Sequence, residues 1–386
     1  MANGNQSTKL KAGDCIFFLI ILSHFLIIFV DGRRVEFLKN RELLMHEGTV
    51  KTIESEDGDV IDCVDIYKQP AFNHPLLKNH TIQMEPSMHL REIEAENNSN
   101  IFSQNWLKNG ECPDETIPII RTQASVFQRK QIKNSVDFNT APGHEYAQVT
   151  LVGGNYYGAQ AAINVWNPIT SKDEFSLAQI WVLSGQEKEL NSMEAGWIVS
   201  SGENQTKLFI FWTSDGYQST GCYNLLCPGF VQVNKNIALG SAIAPVSSYG
   251  EKQYEIGIII RKDRQTGNWW LQVQNQLLGY WPGSIFTSLA ESSTAINWGG
   301  EITNNMVEGQ HTQTFMGSGH FSDEGFGKAS YFWNLAYFDD SGTLKGPESL
   351  TPFATNPSCY DILIADNMDH GVSFYYGGSG FSSQCP

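Results

Sequence analysis

The spacing of apolar and polar residues divides the chain into regions that predict different elements. From His144 onward, short apolar segments alternate with turn residues such as Gly153-Gly154-Asn155. The predicted strands are Tyr146–Val152, Gln160–Trp166, Phe175–Leu183, Ala195–Val199, Lys207–Thr213, Phe230–Val233, Tyr254–Arg261, Asn268–Gln274, Ala295–Glu301 and Ser330–Phe338. Because amphipathic helical spacing is almost absent, this pattern predicts an all-β sandwich or barrel over residues 131–386.

Residues 33–130 have a different pattern and are predicted to form a small α+β domain. Arg33 to Gly48 places apolar residues near helical spacing among charges, and the acidic run Glu54–Asp59 and a proline-rich stretch follow it. From Ser125 to Pro142 the chain is polar and without periodicity, which is typical of a cleavable linker.

The first 32 residues predict a secretory signal peptide. Lys9 and Lys11 precede an apolar run from Cys15 to Val30, and Gly32 offers a small residue near a cleavage point. A membrane anchor is the alternative, but the run is shorter than the roughly 20 residues that a spanning helix needs. We therefore predict a secreted protein (extracellular, cell wall or vacuole) from which residues 1–32 are removed.

Composition supports the β prediction and argues against some classes of binding partner. The 386 residues include 35 Gly, 10 Trp, 14 Tyr and 22 Phe, and only 17% are charged, which is typical of a glycine-turned β protein. The net charge of −16 repels nucleic acid and anionic membranes. We expect no nucleic-acid partner, no membrane association after signal removal and no cofactor. An acid-rich chain is also compatible with an acidic compartment.

The cysteine pattern fits the secretory route. Of the seven cysteines, all but Cys15 remain after signal removal, and an even number in a secreted chain predicts disulfides. Several pairings are open in principle, and the segments in which the cysteines lie suggest Cys63–Cys112, Cys222–Cys227 and Cys359–Cys385. No pair has zinc-site spacing, so no metal is expected. Glycosylation sequons begin at Asn79, Asn97 and Asn204.

The candidate chemistry lies in two carboxylates inside apolar, tryptophan-bearing segments. Glu194 lies within Asn191–Val199, and Glu301 lies within Ile296–Ile302 beside two glycines that let backbone or substrate approach. A carboxylate among apolar groups is costly to ionise, and two that meet form an acid/base pair. The alternative is a pair of surface acids at strand ends.

Other catalytic motifs are incomplete. The stretch His144 to Gln148 has Gln148 where a zinc-protease helix needs its second histidine. Asp340-Ser341-Gly342 has no second copy, which an aspartic-protease site would need. Gly317-Ser318-Gly319-His320 lacks the spacing of a nucleophile elbow, and His320 is interpreted as structural. The two glutamates are the best remaining candidates.

Several phrases of the sequence resemble the plant neprosin family. They are His144–Ala147, Tyr156–Ala159, Ile163–Pro168, Glu194–Trp197, Thr213–Tyr217 and Gly317–Phe321. Upstream, Cys112-Pro113 and Thr116–Ile119 are similar to the family's activation peptide, although Asp114-Glu115 and Ile120 depart from its usual motif. The resemblance implies a secreted glutamic endopeptidase, made as a zymogen, that cuts after proline and has an antiparallel concanavalin-like β-sandwich.

The same resemblance implies the site and the partners. Glu194 and Glu301 would be the catalytic glutamates, with a water between them that attacks the peptide carbonyl. Which glutamate is the base and which is the acid stays open. Residues 33–130 would be an activation peptide and an intramolecular inhibitor, and the substrates would be proline-containing peptides or proteins.

Four further residues are candidates for substrate binding. Trp197, Tyr217 and Trp298 are candidates to line an apolar cleft for a proline ring, although core packing of the tryptophans explains them equally well. Gln179 is a candidate to orient the water.

Two other classes of function stay open. One is a sandwich glycosidase with two carboxylates, although neither glutamate lies in the Glu-x-Asp-x-x-Glu pattern of such enzymes. The other is a non-catalytic cell-wall or carbohydrate-binding protein, against which the presence of both glutamates argues.

Overall fold

The computed structural model describes residues 45–87, 103–121, 143–203, 205–306, 309–365 and 371–386. The predicted signal peptide, the linker Ser125–Pro142, the boundary at residue 130 and the sequons at Asn97 and Asn204 lie outside these residues. So does most of the predicted helix Arg33–Gly48, whose described end, Met45–Gly48, is not helical. The chain divides into two units, 1–45 and 46–386, and the description below concerns the second.

Two antiparallel sheets form a sandwich after residue 143. The strands are β4 (His144–Tyr156), β5 (Gly158–Asn164), β6 (Phe175–Ser184), β7 (Asn191–Ser200), β8 (Lys207–Thr213), β9 (Cys222–Tyr223), β10 (Val231–Gln232), β11 (Glu255–Lys262), β12 (Trp269–Val273), β13 (Gln276–Trp281), β14 (Ser293–Thr303), β15 (Ser330–Phe338), β16 (Leu344–Lys345), β17 (Thr351–Ala354), β18 (Asp361–Ala365) and β19 (Ser373–Gly377). Among the described residues, a seven-stranded sheet has the order β17-β4-β14-β6-β7-β8-β9. A nine-stranded sheet has the order β10-β13-β12-β11-β5-β15-β19-β18, with β16 beside β15.

The N-terminal segment (46–87 and 103–121) carries a smaller sheet. Its strands are β1 (Thr49–Glu54), β2 (Val60–Asp65) and β3 (Thr116–Ile120), paired antiparallel in that order. The helical elements of the described residues are short 3₁₀ turns at Ile66–Lys68, Pro70–Asn73, Pro75–Leu77, Asn105–Asn109, Glu187–Glu189, Gly283–Ile285, Ser288–Ala290 and Ser322–Glu324. A membrane-crossing helix, long and apolar enough to span, is absent from the described part of the chain.

The sandwich core lies between the inner faces of the two sheets. Strand residues alternate between faces, so Val149, Ile180 and Trp298 of the seven-stranded sheet meet Ile163 and Ile258 of the other in one buried apolar cluster. The outer face of the seven-stranded sheet carries a second apolar cluster, built around Tyr146, Leu177, Trp181, Leu183, Ile198, Phe209, Phe211 and Tyr223. This sheet therefore carries an apolar cluster on each face.

The N-terminal segment packs into the same molecule rather than standing apart. Val64 and Ile117 belong to the sandwich core cluster. Gln69 exchanges two hydrogen bonds with the backbone of Gln232, its Nε2 donating to the oxygen (3.1 Å) and its Oε1 accepting from the nitrogen (2.8 Å). The Ser87 backbone N–H donates to Asp263 Oδ2 at 2.9 Å.

The three suggested disulfides are present. They join Cys63 to Cys112, Cys222 to Cys227 and Cys359 to Cys385, with Cα–Cα separations of 5.4, 5.6 and 5.1 Å, within the usual range for disulfides. The pairing suggested from segment membership is confirmed.

Each of the ten predicted strands overlaps an observed one, and the all-β prediction is confirmed. The pattern does not predict β13, which follows β12 through the two-residue turn Gln274-Asn275. Both turn residues have positive φ, 46° and 61°, a conformation that hairpin turns usually give to Asn and Gly. Because Gln-Asn is not one of the usual turn dipeptides, the sequence pattern does not predict this hairpin.

Candidate active site

The two glutamates and Gln179 lie on the outer face of the seven-stranded sheet. Strand β6 runs between β14 and β7, and along it Leu177 pairs with Glu301 while Trp181 pairs with Glu194. Gln179 lies midway between these two positions. Because side chains alternate with a period of two, all three side chains project from the same face.

Gln179 joins the two carboxylates. Its Nε2 lies 3.1 Å from Glu194 Oε2 and 3.5 Å from Glu301 Oε2. The three residues are nearly inaccessible, at 0%, 2% and 3% exposure for Gln179, Glu194 and Glu301. Within the described part of the chain, Gln179 Oε1 has no hydrogen-bond partner, although buried polar groups are nearly always hydrogen-bonded.

Glycines flank Gln179 across the sheet. Its cross-strand partners are Gly299 on β14 and Gly196 on β7. A Cβ at Gly196 would collide with the Ala178 backbone oxygen, and one at Gly299 with the Ala147 backbone oxygen. Neither position can take a side chain without moving a neighbouring strand. Gln179 therefore has no cross-strand side chain on either adjacent strand.

Glu194 accepts hydrogen bonds from two hydroxyl groups. Ser192 Oγ donates to Glu194 Oε1 at 3.1 Å, and Tyr217 Oη donates to the same oxygen at 2.7 Å. Burial, together with the neighbouring Glu194 charge, raises the pKa of Tyr217 well above its usual value. The phenol is therefore a neutral partner of Glu194 in acid and at neutral pH.

Asp215 builds the turn that presents Tyr217. Its carboxylate accepts hydrogen bonds from the backbone N–H groups of Ser219 and Thr220. Burial raises the pKa of Asp215, but these hydrogen bonds and those from the two side-chain hydroxyls outweigh it and lower the pKa to about 2. The turn is consequently held by an ionised carboxylate even in acid.

Glu301 has a histidine partner that sequence reasoning missed. His144 Nδ1 lies 2.5 Å from Glu301 Oε1, and both side chains are buried. The His144 ring packs against Phe175 and Tyr146, with centroid distances of 5.7 and 6.4 Å. In the sequence, His144 belongs to an incomplete zinc motif and to one of the phrases that resemble the neprosin family, but the pairing of β4 with β14 that brings it to Glu301 has no local signal.

Two family models match the chain. A model described as Neprosin matches residues 172–379, which is more than half of the chain, and one described as Neprosin activation peptide matches residues 52–157. The chain belongs to the neprosin family. It is a peptidase with an N-terminal activation peptide, which favours the peptidase prediction over the glycosidase and sugar-binding alternatives.

Some solved structures are distantly similar to this neprosin-family chain. The scytalido-glutamic peptidase with a peptide-based transition state analog has 11% identity and a TM-score of 0.35, and the match covers 61% of this chain and 98% of that one. SCP-B, a member of the Eqolisin family of peptidases in complex with the tripeptide Ala-Ile-His, has 11% identity, a TM-score of 0.33 and the same coverage. CG-16, a homodimeric agglutinin from chicken liver, has 8% identity and a TM-score of 0.24, with 40% and 94% covered. These similarities are too distant to assign a residue or a reaction.

The prediction that Trp197 and Trp298 line the cleft of this neprosin-family protein is wrong. Both are fully buried in the core between the sheets. Their Nε1 atoms donate to backbone oxygens of β5, Trp197 to Asn164 at 2.9 Å and Trp298 to Gln160 at 3.2 Å. Each tryptophan is three residues from its glutamate, an odd spacing that places the two side chains on opposite faces of a strand.

The structure brings together four of the predicted site residues and places the others elsewhere. Gln179 and Tyr217 lie beside Glu194, and Gln179 also reaches Glu301. Asn79, the described sequon, is exposed.

Proposed function

We propose that this chain is the secreted zymogen of a glutamic endopeptidase that hydrolyses peptide bonds after proline at acid pH, with Glu194 and Glu301 as its catalytic residues. The observation that carries the proposal is the amide nitrogen of Gln179, which lies within 3.5 Å of both carboxylates on one buried sheet face. Acids that share one amide at this range are close enough to act on one water molecule.

The proposed reaction needs one ionised and one protonated carboxyl. The ionised group takes a proton from a water as the water oxygen bonds to the substrate carbonyl carbon. The protonated group gives its proton to the amide nitrogen, the C–N bond breaks, and the new carboxyl and amine products leave. The proton gained by the base then returns to the acid, which restores the pair. Each such proton transfer typically contributes about 10²–10⁴-fold in rate.

Acid pH suits this pair because two neighbouring carboxylates resist simultaneous ionisation, so that one proton is shared between them. At neutral pH, loss of that proton would remove the general acid. The proposed optimum therefore follows from the need for a singly protonated pair.

The surroundings of the pair support an apolar substrate residue. The ring of Tyr217 stacks on Phe211 at a centroid distance of 5.7 Å next to Glu194, and Leu177, Ile198 and Phe209 continue the outer apolar cluster. A proline side chain is apolar and rigid, so it would be desolvated on this surface at little conformational cost.

Activation is proposed to require a cut in the chain between Arg121 and Gly143, which connects the N-terminal segment to β4. The outer apolar cluster contains no residue of the described N-terminal segment, which contacts instead Gln232 and Asp263. This connection ends at Gly143, one residue before His144, the partner of Glu301. Secretion is supported by the three disulfides, which persist in oxidising compartments.

The test compares purified wild type with Glu194→Gln and Glu301→Gln, and with Glu324→Gln as a matched control outside the site. Each protein is incubated from pH 3 to 7 with a peptide mixture containing proline, and mass spectrometry follows product termini and chain length. We expect both site variants to lose at least about 10²-fold in peptide cleavage and the control to keep it. Wild type and the control, but neither site variant, should cut themselves between residues 122 and 143 in acid. A site variant that keeps more than about a tenth of the rate, or products without proline at the new C-terminus, would contradict the proposal.

A further inference from the structure

We infer that His144 is a positioning residue that keeps Glu301 ionised, so that Glu301 is the base and Glu194 the acid of the pair. This inference rests on the proposed function and assigns the two roles that the sequence leaves open.

The geometry of the pair supports an imidazolium–carboxylate contact. His144 Nδ1 and Glu301 Oε1 are 2.5 Å apart, which is short for a hydrogen bond between nitrogen and oxygen, and hydrogen bonds shorten when one partner is charged. Imidazole generally holds its proton to about two pH units higher than a glutamic carboxyl. In a contact between an imidazole and a carboxyl, the proton therefore resides on the ring, and the carboxylate carries the negative charge.

Packing fixes the ring in this position. Phe175 meets the His144 ring edge-on, and Tyr146 stacks beside it, so that the imidazole has aromatic neighbours on two sides. At the base of the strand, the Asn304 backbone N–H donates to the Gly143 oxygen at 2.7 Å, which ties the start of β4 to the end of β14. The charge on the ring is thus held at a defined distance from Glu301.

The titratable groups that face this pair from neighbouring strands fit the assignment. In the described residues these include Tyr146 on β4, Glu194 on β7 and Tyr217 in the turn after β8. Tyr217 and Ser192 present hydroxyl groups to Glu194. A hydroxyl donates to a carboxylate and accepts from a carboxyl, so Glu194 can change protonation state without losing these contacts, as a general acid must.

Adjacent Glu145 has a separate partner. Its side chain pairs with His311, whose Nε2 lies 3.0 Å from Glu145 Oε1. The sequence alternation places Glu145 on the inner face, opposite to His144. The charge on His144 is therefore balanced by Glu301 and not by its sequence neighbour.

The test measures kcat and KM from pH 2.5 to 7 for wild type, His144→Asn and His144→Phe. Asn places an amide donor near the position of Nδ1 but carries no charge, and Phe keeps the ring without the donor. His320→Gln is the matched control, because His320 Nδ1 makes a similar contact with Glu324 Oε1 (2.8 Å) away from the site. All variants are checked for folding by circular dichroism and thermal melting.

We expect the acid limb of the kcat profile to move to higher pH by about 1–3 units in both His144 variants, the usual effect of removing an opposite charge from a carboxylate. One unit below the wild-type midpoint, kcat should fall by about 10-fold or more, while KM changes by less than about 2-fold. The control should follow wild type. A His144→Asn profile with an unmoved acid limb, or a loss that is equal at all pH values, would overturn the inference.

A second measurement does not depend on the variants folding or on activity. In wild type, and in Glu194→Gln to prevent self-cleavage, ¹⁵N NMR with the His144 ring assigned separately from that of His311 should show the His144 ring protonated on both nitrogens at pH 4 to 6. Absence of such a ring at pH 4 to 6 would refute the role of His144.

The failure of the proposed function and the failure of this inference can be told apart. Wild type without peptidase activity would overturn both. An active wild type, an inactive Glu301→Gln and an unmoved acid limb in His144→Asn would overturn the inference alone.

Discussion

Strand β4 begins with two neighbouring buried residues, His144 and Glu145, that form histidine–glutamate pairs on opposite faces of the seven-stranded sheet. On the outer face, His144 contacts Glu301. On the inner face, Glu145 contacts His311. The two pairs use the same chemical groups at similar burial, so the difference between their surroundings identifies what makes one of them a candidate for catalysis.

The inner pair belongs to a hydrogen-bonded structural network. His311 Nδ1 lies 2.9 Å from the Thr312 backbone oxygen and Nε2 lies 3.0 Å from Glu145 Oε1, so both ring nitrogens face acceptors. Asn304 Nδ2 donates to the same glutamate oxygen at 2.8 Å, and Asn304 Oδ1 accepts from the Thr312 N–H. This network joins the chain after β14 to the start of β4.

The outer pair differs in what lies one strand away. Glu301 shares the amide of Gln179 with a second carboxylate, Glu194. A histidine–glutamate pair alone is therefore no sign of catalysis in this fold. The inner pair also has a second buried acid nearby, Glu174, but the hydroxyl groups of Thr312 and Thr314 bind that carboxylate. The feature that distinguishes the outer face is therefore the single amide nitrogen that both carboxylates share.

The largest expected effect is on stability, and it concerns the inner face, where Trp298 lies in the core between the sheets. Trp298→Ala should lower the free energy of unfolding by about 3–5 kcal/mol, because it leaves a cavity in the core between the sheets. Denaturant unfolding, measured in the Glu194→Gln background to prevent self-cleavage, checks this. A change below about 1 kcal/mol would mean that Trp298 does not contribute to the core as its complete burial indicates.

The next effect should appear in activity and not in stability. Gln179→Ala removes the amide that joins the two carboxylates and should lower kcat by about 10²-fold, as loss of one buried donor at a reacting centre commonly does. Gln179→Glu is the companion variant, since it adds a third carboxylate to the pair and should be less active still. Unchanged kcat in Gln179→Ala would show that the carboxylates are held by other groups.

The strands and the disulfides could be predicted from sequence because their signals are local. Ten apolar segments separated by turn residues predict the strands of the sandwich. The segments in which the six cysteines lie predict the three disulfide pairs. Glu194 and Glu301 were also recognisable, as acids in otherwise apolar strands.

Which side chains lie on the same face of the sheet as the two glutamates could not be predicted in the same way. The tryptophans near Glu194 and Glu301 were candidates to line a cleft. Because each lies three residues from its glutamate, Trp197 and Trp298 instead point to the opposite face, into the core. His144 reaches Glu301 only because β4 and β14 pair across 157 residues of sequence. Such register is decided by the packing of whole strands, which a single local pattern does not contain.

The smallest effect concerns the inner pair and its dependence on pH. Burial lowers the pKa of His311, but the hydrogen bond with Glu145 and the Thr312 carbonyl outweigh it, so the pKa is raised above the ordinary value of 6.5. A raised pKa means that the folded state binds the proton more tightly than the unfolded state does. The stabilisation is therefore fully present below pH 6.5 and is lost as the pH rises through the folded value.

His311→Gln, again in the Glu194→Gln background, isolates this contribution. In acid the variant should melt a few degrees lower than its parent, corresponding to about 1 kcal/mol for one buried hydrogen bond. The difference should shrink as the pH rises from 5 to 9, because only the parent loses a proton from this site. Melting curves that stay parallel across that range would mean that His311 is not charged in the folded protein. In that case the two histidine–glutamate pairs would differ in protonation as well as in their surroundings, and the inner pair would be held by neutral hydrogen bonds alone.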